Sequence, residues 1–380
     1  MERKYRWKKK GEAPRFAVAR AISLSPMKDQ AFEKAGGNLV WSHRFVAPNA
    51  TSLNFAFTKF KLPEGATLSI NSTDGTKFIR TFDARDNNIN NQLWSPIILS
   101  DDVTVTMSVP EEKISQLQLE LTQVGQGFRA FGESTEKSGD CNIDVACGDS
   151  VGWEKEVNTV AVISTGGDRF CTGFMVNNTK NDKTPFFMTA NHCRIVSTAA
   201  ASLVTYWNYQ TSKCGGARDG KLTDFQSGST FLAANAKSDF TLVKLLSQPK
   251  PEWNVAFAGW NHAGKNAAKT VVIHEPNVDE KAISFDDDPS EISSYGGTGT
   301  GDATHVKVVD YERGTTEPGS SGSPLFNEYH QVIGQLHGGG AACGNDLPDY
   351  YGRFSLSWTL GLSKHLDPIN SGAVSVNTIQ

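Results

Sequence analysis

Between residues 38 and 128, apolar and polar side chains alternate with a period of two. Leu53, Phe55 and Phe57 form one such run, Val103, Val105, Met107 and Val109 a second, and Leu117, Leu119 and Leu121 a third. Successive side chains of a strand point to opposite faces, so each run predicts a strand with one face buried and one wet. Turn-forming stretches separate the runs: Pro63-Glu64-Gly65, Asp74-Gly75, Asp86-Asn87-Asn88 and Pro110-Glu111-Glu112. Short strands at this spacing predict a β-sandwich over residues 38–130. No catalytic constellation is visible there. His43 stands alone and reads as structural, and Trp41 and Trp94 read as core.

Further along, the pattern becomes one of short unbroken apolar runs. Val160-Ala161-Val162-Ile163, Phe170 to Val176, Phe186-Phe187-Met188, Val271-Val272-Ile273 and Val332 to Leu336 are parted by Gly and Asn turns. Such runs predict antiparallel barrel strands. One helix is predicted around Leu360 to Leu366, stopped by Pro368. Between the two regions Gly132 to Asp140 is polar, small and free of apolar residues, which predicts an exposed linker over residues 131–140. The chain opens with Arg3, Lys4, Arg6, Lys8, Lys9 and Lys10, and Gly11-Glu12-Ala13-Pro14-Arg15 follows where a signal peptide needs an apolar run. Residues 1–37 are therefore expected to be a basic, disordered segment, and no export signal is visible. The predicted organisation is 1–37, 38–130, 131–140 and 141–380.

Composition narrows the function. At 380 residues the chain exceeds one typical domain, and 38% hydrophobic with 21% charged residues describes a globular protein. A net charge of −4 and a pI near 6.1 give no pull toward nucleic acid. No apolar stretch reaches the length of a membrane-spanning helix. All six cysteines, Cys141, Cys147, Cys171, Cys193, Cys214 and Cys343, lie beyond the predicted linker. An even number in one region points to disulfides and an oxidising, extracellular compartment. A zinc site is the rival reading, weakened by the lack of C-x-x-C or paired-His spacing. Residue pattern alone leaves fifteen pairings open.

Three motifs carry chemistry. Glu317-Pro318-Gly319-Ser320-Ser321-Gly322-Ser323-Pro324 places a serine in a tight glycine-rich turn. There the N–H groups of Gly319 and Ser321 can face one side as an oxyanion-binding pair. A serine nucleophile needs a base, and Thr189-Ala190-Asn191-His192-Cys193 offers His192. The base needs an orienting carboxylate, and Ser238-Asp239-Phe240-Thr241-Leu242-Val243 sets Asp239 at the head of an apolar strand. The chain order His192, Asp239, Ser321 is that of chymotrypsin-like enzymes.

The region from about 138 to 370 resembles the trypsin-like serine proteases and, more closely, the bacterial lysyl endopeptidases. The closer resemblance rests on Cys141-Asn142-Ile143-Asp144-Val145, Val204 to Gln210, Thr316 to Pro324, Gln335-Leu336-His337-Gly338-Gly339 and Asp349-Tyr350-Tyr351-Gly352-Arg353. Tyr295 departs from it, standing where the family more often has Trp. The resemblance implies an all-β, chymotrypsin-like double β-barrel protease preceded by a β-sandwich-like prodomain. It implies a Ser321–His192–Asp239 triad and the disulfides Cys141–Cys343, Cys147–Cys214 and Cys171–Cys193. It implies Asp349 as the reader of a substrate lysine, in a pocket bordered by Gly338, Gly339, His337 and Tyr295. The expected activity is that of a secreted, monomeric endopeptidase cutting after lysine, with no metal or organic cofactor, no nucleic acid and no membrane partner. Lys137 is the one lysine of the linker, so self-processing at Lys137–Ser138 and a role for the upstream region as propeptide are expected. The rival readings are a mixed Lys/Arg preference and a non-catalytic pseudoprotease or adhesin.

Overall fold

The computed structural model describes residues 13–29, 31–129, 131 and 138–380. Regular structure is almost all strand. The alternating runs near the N-terminus build two antiparallel sheets. One has the order Ala17–Leu24, Gln118–Gly127, Leu53–Lys61, Leu93–Trp94. The other has the order Glu33–Ala35, Asn38–Val46, Asp102–Pro110, Thr67–Ser72, Phe78–Phe82. Their inner faces share one core, in which Phe55 and Phe57 of the first sheet meet Val105, Met107 and Leu68 of the second. His43 is packed between Trp41 and Phe45.

The structure corrects the sequence reading at three places here. Disorder was expected to residue 37, yet from residue 13 the chain is built in: Ala17–Leu24 pairs with Gln118–Gly127, and Phe16 and Ala17 are wholly buried. The short apolar run Phe16-Ala17-Val18 supplies that burial. Second, the first half of strand Leu53–Lys61 has no wet face; only Lys59 and Lys61 are exposed. Asn54 and Ala56 are buried like Leu53 and Phe55, because Asn54 Nδ2 donates to the Gly167 carbonyl at 3.1 Å and the Gly166–Gly167 turn covers that side. Third, the ends of the linker are docked. Phe131 is buried against Tyr206 and Tyr209, and Ser138 is buried with its N–H on Asp279. Lys137 lies outside the described residues.

Two further sheets follow, antiparallel except where Trp260 pairs with Val332 in the second. The first has seven strands in the order Phe225–Ser227, Val204–Tyr206, Val160–Thr165, Arg169–Met175, Phe186–Ala190, Phe240–Leu245, Ser229–Asn235. Its two edge strands are neighbours in the chain, joined at Gly228, so the sheet rolls back on itself. The second has ten strands and carries Thr270–His274, Pro324–Asn327, Val332–Gly339, Asp349–Arg353 and His305–Val308 side by side. Phe174, Met188 and Phe240 of the first sheet and Ile273, Phe326 and Val332 of the second fill a common core. The C-terminal helix begins earlier than predicted. Helical structure runs from Phe354 through Leu366 with a break at Gly361, whose φ is +149°. Phe354 and Leu362 bury its inner side.

Among the described residues, no helix is long and apolar enough to cross a membrane. Three disulfides are formed, Cys141–Cys343, Cys147–Cys214 and Cys171–Cys193, the pairs that the resemblance implies.

Candidate active site

Strands Phe186–Ala190 and Phe240–Leu245 pair with Ala190 opposite Phe240. The residues just past that register therefore meet. His192 sits in the 3₁₀ turn Asn191–Cys193, and Asp239 precedes the partner strand. Asp239 has φ +52°, a left-handed conformation that Asp tolerates better than most residues. This folds its carboxylate back onto the turn. Asp239 Oδ2 lies 2.7 Å from His192 Nδ1, and Oδ1 accepts the His192 backbone N–H at 3.0 Å. The second sheet holds the same residue from behind: Gln335 Nε2 donates to the carbonyls of Ser238 at 2.7 Å and Asp239 at 3.1 Å. Both triad candidates are buried. With its two carboxylate oxygens on ring and backbone, Asp239 fixes the imidazole with Nδ1–H toward itself and Nε2 outward.

The Ser321 turn is pinned through its carbonyls. Pro318 O accepts from Asn277 N–H at 2.7 Å, Gly319 O from the Thr172 hydroxyl at 2.9 Å, and Ser320 O from Ser323 N–H at 3.0 Å. In a trans peptide the N–H points opposite the carbonyl of the residue before it. The Pro318 and Ser320 bonds therefore aim the N–H groups of Gly319 and Ser321 away from those partners. Gly319 has φ +104°, and a Cβ there would be driven into the Phe170 ring, so only glycine fits. Ser321 O accepts Thr172 N–H at 2.9 Å and lies 3.9 Å from the Cys193 sulfur, which brings the turn against the His192 segment. Among the described residues no hydrogen bond joins the Ser321 hydroxyl to His192. From below, His274 lies 2.8 Å from the Ser320 hydroxyl and 3.2 Å from that of Ser284; burial pushes its pKa down to about 3, so the ring is neutral.

The residues proposed to recognise substrate lie along Val332–Gly339 and Asp349–Arg353. Asp349 is buried and accepts hydrogen bonds from the Thr316 hydroxyl and, at 3.3 Å, from Tyr311. A side chain on Gly339 would run into the Asp349 carboxylate, so the wall is bare where the carboxylate lies. His337 stacks with Tyr295 at 3.8 Å between centroids and with His192 at 5.4 Å. Its Nε2 lies 3.7 Å from Asp239 Oδ2, and its Nδ1 lies 2.9 Å from His305 Nε2. Burial holds His337 and His305 down at about 4. Burial, and then the nearby Asp239 and Asp349, push the Tyr295 phenol up.

Every residue singled out for catalysis or recognition thus falls in one region: His192, Asp239, Ser321, Gly319, His337, Tyr295, Gly338, Gly339 and Asp349. Gln335, His305, Thr316 and Tyr311 were not singled out. Gln335 and Thr316 lie inside the quoted motifs without a role assigned, and His305 sits in a strand with no motif around it.

A sequence model described as "Lysyl endopeptidase, C-terminal domain" matches residues 135–352. The lysyl endopeptidase of Pseudomonas aeruginosa is 30% identical over 300 residues, which are 71% of this chain and 63% of that protein. The chain thus spans less than two thirds of that relative's length. Among solved structures, a Glu endopeptidase superimposes with a TM-score of 0.39 at 15% identity, covering 60% of this chain and 97% of its own. The Rv3671c protease of M. tuberculosis, in its inactive form, gives 0.36 at 16% identity, covering 61% and 98%.

Proposed function

The chain belongs to the lysyl endopeptidase family, and we propose that it is a secreted serine endopeptidase that cuts on the C-terminal side of lysine. The observation that carries this reading is the buried His192–Asp239 pair beside a serine turn pinned through the carbonyls of Pro318, Gly319 and Ser320. In this reading Ser321 Oγ attacks the scissile carbonyl while His192 Nε2 takes its proton. The imidazolium so formed faces Asp239 at 2.7 Å, and the oxyanion lies on the Gly319 and Ser321 N–H groups. His192 then protonates the leaving amine, and water admitted to the same base hydrolyses the acyl-enzyme. Asp349 pairs with the substrate ammonium beside Gly338 and Gly339. Nothing in these steps calls for a metal or cofactor. Three disulfides favour an extracellular site of action. The upstream sandwich acts as the propeptide of a monomeric enzyme, released by self-processing at Lys137–Ser138.

Ser321→Ala tests the chemistry, since it removes one half-exposed hydroxyl and leaves the turn's backbone in place. Peptidase kcat/KM is expected to fall by several orders of magnitude with the fold intact. Labelling by a covalent serine-hydrolase probe is expected to vanish. A variant that keeps more than about a tenth of the wild-type kcat/KM, an effect under roughly 1.4 kcal/mol, removes Ser321 as nucleophile.

A further inference from the structure

A row of polar side chains leads from the protein surface to Asp239. The Asp302 carboxylate is exposed and lies 2.8 Å from the Thr304 hydroxyl. Thr304 Oγ1 lies 2.7 Å from His305 Nδ1, His305 Nε2 lies 2.9 Å from His337 Nδ1, and His337 Nε2 lies 3.7 Å from Asp239 Oδ2. Thr304 and His305 are each 2% exposed, so bulk water does not reach them.

The row has an acceptor at each end, because an ionised carboxylate only accepts. It contains four gaps, Asp302–Thr304, Thr304–His305, His305–His337 and His337–Asp239. A hydroxyl and two neutral imidazoles bring only three mobile protons. One gap therefore holds no proton, and there two lone pairs face each other. The first three gaps have hydrogen-bond lengths; the fourth, at 3.7 Å, does not. Asp239 already receives the ring and backbone donors of His192, whereas the only side-chain donor that Asp302 receives within this row is Thr304.

We infer that Asp302 is a positioning residue acting at a distance: it draws the protons of Thr304, His305 and His337 toward the surface and leaves the unprotonated Nε2 of His337 facing Asp239. This rests on the reading of His192 as general base. The lone pair turned toward the Asp239–His192 pair favours the imidazolium and so supports the basicity of His192. Other groups frame the row without joining it. The Tyr295 ring covers His337, with Asp349 near its phenol; the His192 ring lies on the other side; Lys237 acts on Asp302 from solvent. That both histidines are held at about 4 agrees with a neutral row near pH 7.

Two substitutions reverse the row without adding charge to it. In Asp302→Asn the amide can donate to Thr304, which then donates to His305, and each imidazole hands its proton inward until His337 Nε2–H points at Asp239. In Thr304→Val the surface carboxylate is cut off and Asp239 alone orders the two imidazole protons. Both variants are expected to move the acid limb of the kcat/KM–pH profile to lower pH by about half a unit or more. Nitrogen-15 spectra of the ring nitrogens are expected to show His337 protonated on Nδ1 in the parent and on Nε2 in both variants. An active enzyme whose acid limb stays put in both variants, or a His337 tautomer that is the same in all three proteins, overturns the inference. If the parent has no peptidase activity, the proposed function falls, and the spectra still decide the proton order.

Discussion

Asp349 shows what one buried carboxylate is asked to do. Thr316 and Tyr311 donate to it, so the group is oriented before substrate arrives. In the proposed reading, a lysine ammonium entering beside Gly339 loses its water and takes Asp349 in exchange. Asp349→Asn leaves that ammonium facing an amide, at a cost of about 3–5 kcal/mol, or several hundred-fold or more in kcat/KM on lysyl substrates. Leucyl substrates, which bring no charge, are expected to lose far less. Equal losses on the two would assign Asp349 to the fold. Residues of this kind are legible where the chemistry sits in a short contiguous motif: His192, Ser321 and Asp349 each stand in one. His305 and Gln335 are not legible so. Their partners lie 32 and 96 residues away, and only strand pairing brings them together.

At the level of elements, periodicity gives the strands and the sheets decide what covers them. Val103, Val105, Met107 and Val109 are all buried and alternate with half-exposed neighbours, as their period predicts. Leu53–Lys61 carries the same signal but is covered on both sides from Leu53 to Phe57, because a neighbouring hairpin that the local pattern does not mention lies over that half. The same limit applies to Gly352. In sequence it is a glycine within a strand, a mark of close backbone approach. In the fold, a Cβ there would be driven into the Ser238 carbonyl and the Gln335 amide. Strand Asp349–Arg353 of the second sheet thus presses on the turn that carries Asp239 of the first. Gly352→Ala is expected to displace that turn and lower kcat by about tenfold or more, with KM changed little, since the effect reaches the substrate only through His192. Steady-state kinetics beside circular dichroism checks this; wild-type kcat in a folded variant would show that the approach does not position Asp239.

Taken whole, the molecule joins its N-terminal sandwich to the first protease sheet through one core. Phe16, Phe55, Leu93 and Phe131 share it with Val162, Phe170, Val204, Tyr206, Tyr209 and Phe225. Ile97 N–H donates to the Tyr206 hydroxyl at 3.1 Å, and Arg129 reaches Asn277, whose own N–H fixes the Ser321 turn. Self-processing is tested on the Ser321→Ala precursor. Alone in a protease-deficient host it should stay full length, and with a trace of active enzyme it should yield a fragment beginning at Ser138. Maturation without added enzyme, or a different mature start, refutes self-processing at this bond and leaves the catalytic assignment standing. If the sandwich is released as proposed, the shared core has a consequence for how long the freed enzyme lasts. A cast can leave its mould, but a cast that later melts has no mould to set in again. The sandwich side of that core would be gone, and Tyr206, Tyr209 and Phe225 would face water or whatever replaced it. The working life of the mature enzyme is then governed by how seldom it opens rather than by how readily it closes, and its three disulfides act on that clock.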